Sequence, residues 1–224
     1  MTDRFSGFPV EAIDFYVGLE ADNSRGYWQA NKTVYDRTVK GPMEALSAVV
    51  TEEFGPLQIF RPHRDVRFSK DKTPYKTAMG AMTEGDGGEL YYVQFSATGL
   101  MAAAGYYRLA TDQLARYRTA LDDDAAGAEI TTIVAGLEAA GYGVGAYEEL
   151  RSAPRGYAKD HPRITLLRRK GLIVSRTFPV GKWLATPKAL ARVVDTWRGA
   201  SALNTWLNRW VGPSTLAPSP DDAW

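Results

Sequence analysis

Apolar positions recur at helical spacing through the first fifty or so residues, alternate at strand spacing in the middle, and return to helical spacing afterwards. Ala12, Phe15, Tyr16 and Leu19 follow Pro9 at i, i+3, i+4 and i+7, which predicts an amphipathic helix to about Glu20. Asp22-Asn23-Ser24 offers capping side chains for a second helix to about Val39. Gly41-Pro42 is expected to break that helix and open a third, with Met43, Leu46, Val49 and Val50 on one face and Gly55-Pro56 as its stop.

Strand patterns follow. Leu57–Phe60 is short and apolar, Val66 and Phe68 alternate with Arg67, and Thr77–Thr83 is a weaker run. Gly85-Asp86-Gly87-Gly88 predicts a hairpin turn. Leu90–Phe95 and Leu100–Tyr107, joined through Ala97-Thr98-Gly99, are the clearest strands. Links this short allow no helical crossover, so the middle of the chain reads as an antiparallel meander. Thr111 is expected to cap a helix carrying Leu114, Tyr117 and Leu121, and the next helix carries Ile130, Ile133, Val134 and Leu137 up to Gly141. Gly143–Leu150 can form a strand, His161–Lys170 a short helix, and Leu172–Phe178 a further strand. Thr186-Pro187 opens a helix interrupted at Gly199, with Leu190, Val194, Leu203, Trp206 and Trp210 expected to dock it. These patterns predict a single α+β domain over residues 1–212, an antiparallel sheet flanked by helices, and a flexible tail at 213–224.

Composition narrows the chemistry. The 224 residues are 45% hydrophobic and 24% charged, the balance of a globular chain. Zero cysteines exclude a thiol nucleophile, a disulfide scaffold and Cys-based metal sites in this chain. His63 and His161, its two histidines, cannot form a three-His site, and no metal or cofactor is expected. No run of 18 apolar residues suggests a membrane span, and Met1–Gly7 lacks an apolar core, so a cytoplasmic address is expected.

The net charge of +1 hides segregation. Residues 61–76 hold six cations against two carboxylates, and residues 151–170 hold seven against one. The first of these, Arg64-Asp65-Val66-Arg67-Phe68-Ser69-Lys70-Asp71-Lys72-Thr73-Pro74-Tyr75-Lys76, is the densest stretch of chemistry in the chain. Guanidinium forks match phosphate or carboxylate oxygens, lysines add charge, and hydroxyls donate to the same oxygens. A solvated sheet edge would also carry lysines. Interleaved arginines, hydroxyls and a tyrosine fit an anion site better. Arg64, Arg67, Ser69, Lys70, Lys72, Tyr75 and Lys76, with Arg155 from the second segment, are the candidate ligand-binding residues. Asp65 and His161 are the candidate acid–base groups. If Val66 and Phe68 point inward, Asp65, Arg67 and Ser69 share the outer face.

Other patterns are weaker. Ser69 and Lys72 have the spacing of a serine–lysine hydrolase, without the accompanying motifs. Asp122-Asp123-Asp124 lacks a calcium-loop context, and Gly181-Lys182 lacks the rest of a P-loop.

The thirteen-residue run, preceded by Asn31-Lys32-Thr33-Val34-Tyr35, resembles the motif of the bacterial and fungal family called domain of unknown function 2461. Gly105-Tyr106-Tyr107 and Arg155-Gly156-Tyr157 with Asp160-His161-Pro162 are similar to it too, and the resemblance extends from about Phe8 to Trp210. Near the N-terminus the family pattern favours Asn-Asn and then Trp-Phe, where this chain has Asn23-Ser24 and Tyr27-Trp28. The resemblance implies a grouping and no activity. The expected function is therefore binding of a small phosphorylated or carboxylated ligand in a basic cleft built from both segments, with or without catalysis. The alternatives are a nucleic-acid-binding module and a structural, partner-docking protein with no ligand.

Overall fold

Pro9 leads into α1 (Val10–Ala21), whose Ala12, Phe15, Tyr16 and Leu19 are buried at the predicted spacing. The structure, a computed structural model of the chain, describes residues 5–67, 69–83 and 88–216. Ser24 caps α2 (Arg25–Tyr35) by accepting a hydrogen bond from the Tyr27 N–H at 3.1 Å. The expected break at Gly41-Pro42 is absent. Asp36–Lys40 forms a π-turn, the Gly41 N–H reaches the Asp36 carbonyl, and the chain runs straight into α3 (Gly41–Phe54). Widening the helix gives the Pro42 ring room, and proline is tolerated in a first turn.

Six strands form one sheet: β1 (Leu57–Ile59), β2 (Ala78–Thr83), β3 (Leu90–Ser96), β4 (Gly99–Tyr106), β5 (Gly143–Gly145) and β6 (Leu172–Pro179), in the order β1-β2-β3-β4-β6-β5. The architecture is α+β, as expected. β1 pairs antiparallel with β2 at Ile59–Ala81, β2 with β3 at Ala81–Val93, and β5 with β6 at Val144–Val174. The Gly85–Gly88 turn falls mostly on residues outside those described.

The remaining elements are α4 (Thr111–Asp122), α5 (Asp124–Ala139), α6 (Ile164–Leu167), α7 (Lys188–Gly199) and α8 (Ser201–Trp210), with a 3-10 turn at Lys182–Ala185 that carries no sequence period. Thr111 is the first residue of α4 and not its cap. Ala110 holds the cap position, and Gln113 Oε1 accepts its N–H at 2.9 Å. The strand expected at Gly143–Leu150 stops at Gly145, and the helix expected at His161–Lys170 is the single turn of α6.

The chain divides into two compact units. One comprises Met1–Glu84, Tyr91–Ala102 and Thr177–Thr196, the other Gly85–Leu90, Ala103–Arg176 and Trp197–Trp224. In the first, Phe8 stacks on Phe95 at 4.4 Å over a core that includes Tyr16, Leu19, Met43 and Leu46. Gly7 has φ +117°, and a Cβ there would stand 2.3 Å from the Thr186 nitrogen, so only glycine lets the N-terminal strap lie this close. In the second unit Trp206 is fully buried and its indole N–H donates to the Ala126 carbonyl at 3.0 Å. Burying side chains of this size stabilises by roughly 1.5–3 kcal/mol each. The C-terminal helices bury Ala189, Val193, Trp197, Leu203, Trp206 and Leu207. Leu203 and Trp206 are buried as expected, Leu190 and Val194 are only half-buried, and Trp210 is exposed.

The segment after α8 begins with hydrogen bonds. Arg116 donates to the Val211 and Pro213 carbonyls, Gln113 to the Gly212 carbonyl, and Asp112 accepts from Ser214 and Thr215. Residues 217–224 lie outside those described. No helix among the described residues is long and apolar enough to cross a membrane.

Candidate functional site

The first basic segment is a loop, the second is irregular chain around the single turn of α6, and each belongs to a different unit. The first is closed at its base by a single antiparallel bridge between His63 and Tyr75. The Arg64 N–H donates to the Pro74 carbonyl at 2.9 Å and the Lys76 N–H to the Pro62 carbonyl at 2.8 Å. Asn23 completes the clamp. Its amide nitrogen donates to the Tyr75 carbonyl at 3.1 Å and its amide oxygen accepts the Tyr75 N–H at 3.0 Å. One side chain thus plays the part of a neighbouring strand. No sequence period marks this; the family-like Asn23-Ser24 pair was the only available sign. Ser24 standing where the family favours Asn keeps the capping role, since both residue types cap helices well.

Tyr75 is 4% exposed, its ring stacked on Trp28 with centroids 4.4 Å apart and 9° between planes. Tyr35 packs on Trp28 from α2. The phenol that the sequence offers to a ligand is therefore packed against aromatic neighbours, and its backbone anchors the loop.

Above this base the loop pairs with itself. Arg64 bonds Asp71 and also donates to Thr73 Oγ1 at 3.0 Å. Asp71 accepts from the Thr73 N–H and hydroxyl, which lower its pKa. Arg67 donates Nε and Nη2 to Asp65 as a fork, with Nη2–Oδ2 at 2.6 Å. The Arg67 side chain and its backbone N–H hold the Asp65 carboxyl down at about 2. Lys72 Nζ donates to the Val66 carbonyl at 2.9 Å and Ser69 Oγ accepts the Asp71 N–H, so the serine–lysine pair is engaged elsewhere. Val66 lies in irregular chain and not in a strand, and Phe68 is outside the described residues. The shared outer face of Asp65, Arg67 and Ser69 is replaced by the side-chain fork and the backbone turn.

Among the described residues, Arg61, Lys70 and Lys76 pair with no carboxylate. Lys76 is half-buried, and its ammonium stands 5.2 Å from the centroid of the Phe60 ring. Burial lowers its pKa, and the charges of Arg61 and Arg64 lower it further.

The second segment uses its cations differently. Arg163 donates to the Leu121, Asp122 and Asp123 carbonyls at the end of α4. Arg168 Nε binds the Leu150 carbonyl at 2.5 Å. Arg169 bonds Glu149 and the Val144 carbonyl, and Lys170 bonds Glu148 at 2.5 Å. His161 Nδ1 accepts the Arg163 N–H at 3.0 Å, so the ring hydrogen is on Nε2, 3.2 Å from Asp122 Oδ1. With both nitrogens engaged, His161 has the bonding of a turn-bracing residue. Arg155 is exposed in the turn before Tyr157.

Two cavities, both in the second unit, carry less chemistry. One, about 590 Å³, is an open groove between α5 and α8 along Glu129, Thr132, Ser201 and Thr205. The other, about 250 Å³, is lined by Arg108, Thr111, Tyr147, Glu148 and Lys170. Among the described residues no group of three His, Asp or Glu is placed to hold a metal ion.

The fold and this clamped basic loop define an α+β protein with a self-paired basic hairpin loop. The chain belongs to the family described as conserved hypothetical protein (DUF2461), whose model matches residues 11–206. No curated protein matches it. No solved structure matches it either.

Proposed function

We propose that the protein binds a small phosphorylated or carboxylated molecule at the base of the Arg64–Pro74 loop. Arg61, Arg64 and Lys76 supply the charge there, with Lys70 and Lys72 further out. The observation that carries this reading is Lys76: a half-buried ammonium over an aromatic ring, in the field of Arg61 and Arg64 and paired with no carboxylate among the described residues. An anion relieves that repulsion, and such unrelieved charge is more typical of a binding site than of a scaffold. The Asp65 carboxylate is engaged by Arg67 and both His161 nitrogens are bonded, so the reading is one of binding. Much of the second segment is occupied with carbonyls and carboxylates of its own unit, which counts against an extended phosphate-tracking stripe. A cytoplasmic setting, where small phosphorylated molecules abound, belongs to this proposal.

Calorimetric titration with inorganic phosphate and simple carboxylates tests it. The wild type should bind one such anion, and Lys76→Met should weaken binding at least about tenfold, a loss of about 1.4 kcal/mol. The same variant should keep its circular dichroism and melting temperature, because a desolvated charge is replaced by an apolar chain of similar length. Absence of wild-type binding, or unchanged affinity in Lys76→Met, overturns the reading.

A further inference from the structure

The loop grows out of β1 and β2, and the two faces of that part of the sheet differ. On β2, Met79, Ala81 and Thr83 alternate to a packed face, opposite Phe95 and Val93 of β3. Ala78, Gly80 and Met82 alternate to the other face, opposite Ser96, Gln94 and Tyr92, which are half-buried. The Phe60 N–H donates to the Gly80 carbonyl at 2.9 Å, so Phe60 flanks Gly80 from the β1 side. Tyr92 flanks it from the β3 side. Their ring centroids lie 6.3 Å apart with planes inclined by 34°.

Gly80 makes this arrangement possible. A Cβ there would stand 2.7 Å from the Tyr92 hydroxyl and 3.1 Å from the Phe60 ring, so both rings lean over bare backbone. The Tyr92 hydroxyl donates to Gln94 Oε1 at 2.9 Å, which fixes the tilt of its ring. Phe60 and Tyr92 thereby form one aromatic shelf across three strands. At its loop end stands the Lys76 ammonium, over Phe60. Cation and shelf therefore adjoin on one half-open face.

We propose that the ligand of this site is a mononucleotide-sized heteroaromatic phosphate, its phosphate drawn to Lys76 and its planar base packed on Tyr92 beside Phe60. The proposal rests on the anion reading above and adds the ring. A phosphate alone has no use for an aromatic surface. A planar group tethered to that phosphate covers the half-open rings and gains stacking that every base can supply. One shelf beside one cation cluster fits a single nucleotide.

The test is calorimetric titration of the full chain with adenosine monophosphate, ribose 5-phosphate, inorganic phosphate and short oligonucleotides. Adenosine monophosphate should bind about tenfold or more tightly than ribose 5-phosphate, the range that stacking one base supplies. Tyr92→Ala and Gly80→Ala should erase that preference and leave inorganic phosphate binding as in the wild type. Gly80→Ala adds one methyl group that pushes both rings off the backbone and serves where Tyr92→Ala fails to fold; the wild-type comparison stands without either. Equal affinity for adenosine monophosphate and ribose 5-phosphate overturns the ring and leaves the anion site standing. No binding of any phosphate overturns both. Affinity that climbs with oligonucleotide length overturns the single-nucleotide ligand in favour of nucleic acid.

Discussion

The two basic segments look alike in the sequence and spend their paired cations differently in the structure. In residues 151–170, Arg163, Arg168, Arg169 and Lys170 are fixed to carbonyls and carboxylates that brace α4, β5 and α6 within their own unit, while Arg151, Arg155 and Lys159 are exposed and pair with no carboxylate among the described residues. In residues 61–76, Arg64 and Arg67 find carboxylates inside the loop itself, while Arg61, Lys70 and Lys76 find none among the described residues. Charge density along a chain therefore says little by itself. What decides between scaffolding and binding is whether each cation already has a partner, and that is a three-dimensional fact.

The comparison breaks most visibly at Arg169. Its side chain is 10% exposed and holds both Glu149 and the Val144 carbonyl. Arg169→Ala should cost about 2–3 kcal/mol, the scale of lost hydrogen bonds to a charged group, read as a lower midpoint in urea unfolding. An unchanged midpoint would put the second segment in the same category as the first. Asn23→Ala comes next. Losing both bonds to Tyr75 should cost about 1–2 kcal/mol and speed hydrogen exchange at the Tyr75 and Lys76 amides, with anion affinity falling alongside. Slow exchange retained at those amides would show that the His63–Tyr75 bridge alone holds the loop.

The smallest effect is expected at the exposed Arg67–Asp65 fork, where Arg67→Ala should leave the urea midpoint almost unchanged. Its pH dependence is more telling. Asp65 has a folded pKa lowered from 3.8 to about 2 by Arg67, so the pairing favours the fold above the unfolded value and that contribution fades as pH falls towards 2. Carboxyl carbon NMR should place the Asp65 midpoint near 2 in the wild type and near 3.8 in Arg67→Ala. A midpoint near 3.8 in the wild type would mean the fork does not form in solution.

Much of the fold is legible in the sequence because its helices carry local signals: Pro9 before α1, Ser24 as a cap, and buried positions at helical spacing. The strand pattern of β3 and β4 is equally local. Gly41-Pro42 misleads because a π-turn, which has no sequence period of its own, absorbs the proline. Alternation at Val66 and Arg67 misleads because Asp65 and Asp71 each bond the residue two positions on, turning the backbone where a strand would run straight. For the site, sequence locates the basic loop but not its state of pairing. The partners of His161 and Arg163 lie about forty residues away at Asp122 and Leu121. The Phe60–Gly80–Tyr92 shelf needs three strands in register before it exists at all.

The Asn23 clamp has a consequence for how such a chain can diversify. The loop is fastened at its root by one amide side chain and one bridge, and the bonds above the root run within the loop itself. Insertions, deletions or wholesale replacement between Arg64 and Pro74 change what the surface offers while the root geometry persists. A lineage built on this scaffold can therefore exchange recognition chemistry by rewriting a short cassette, and a protein engineer can do the same by grafting between those two positions.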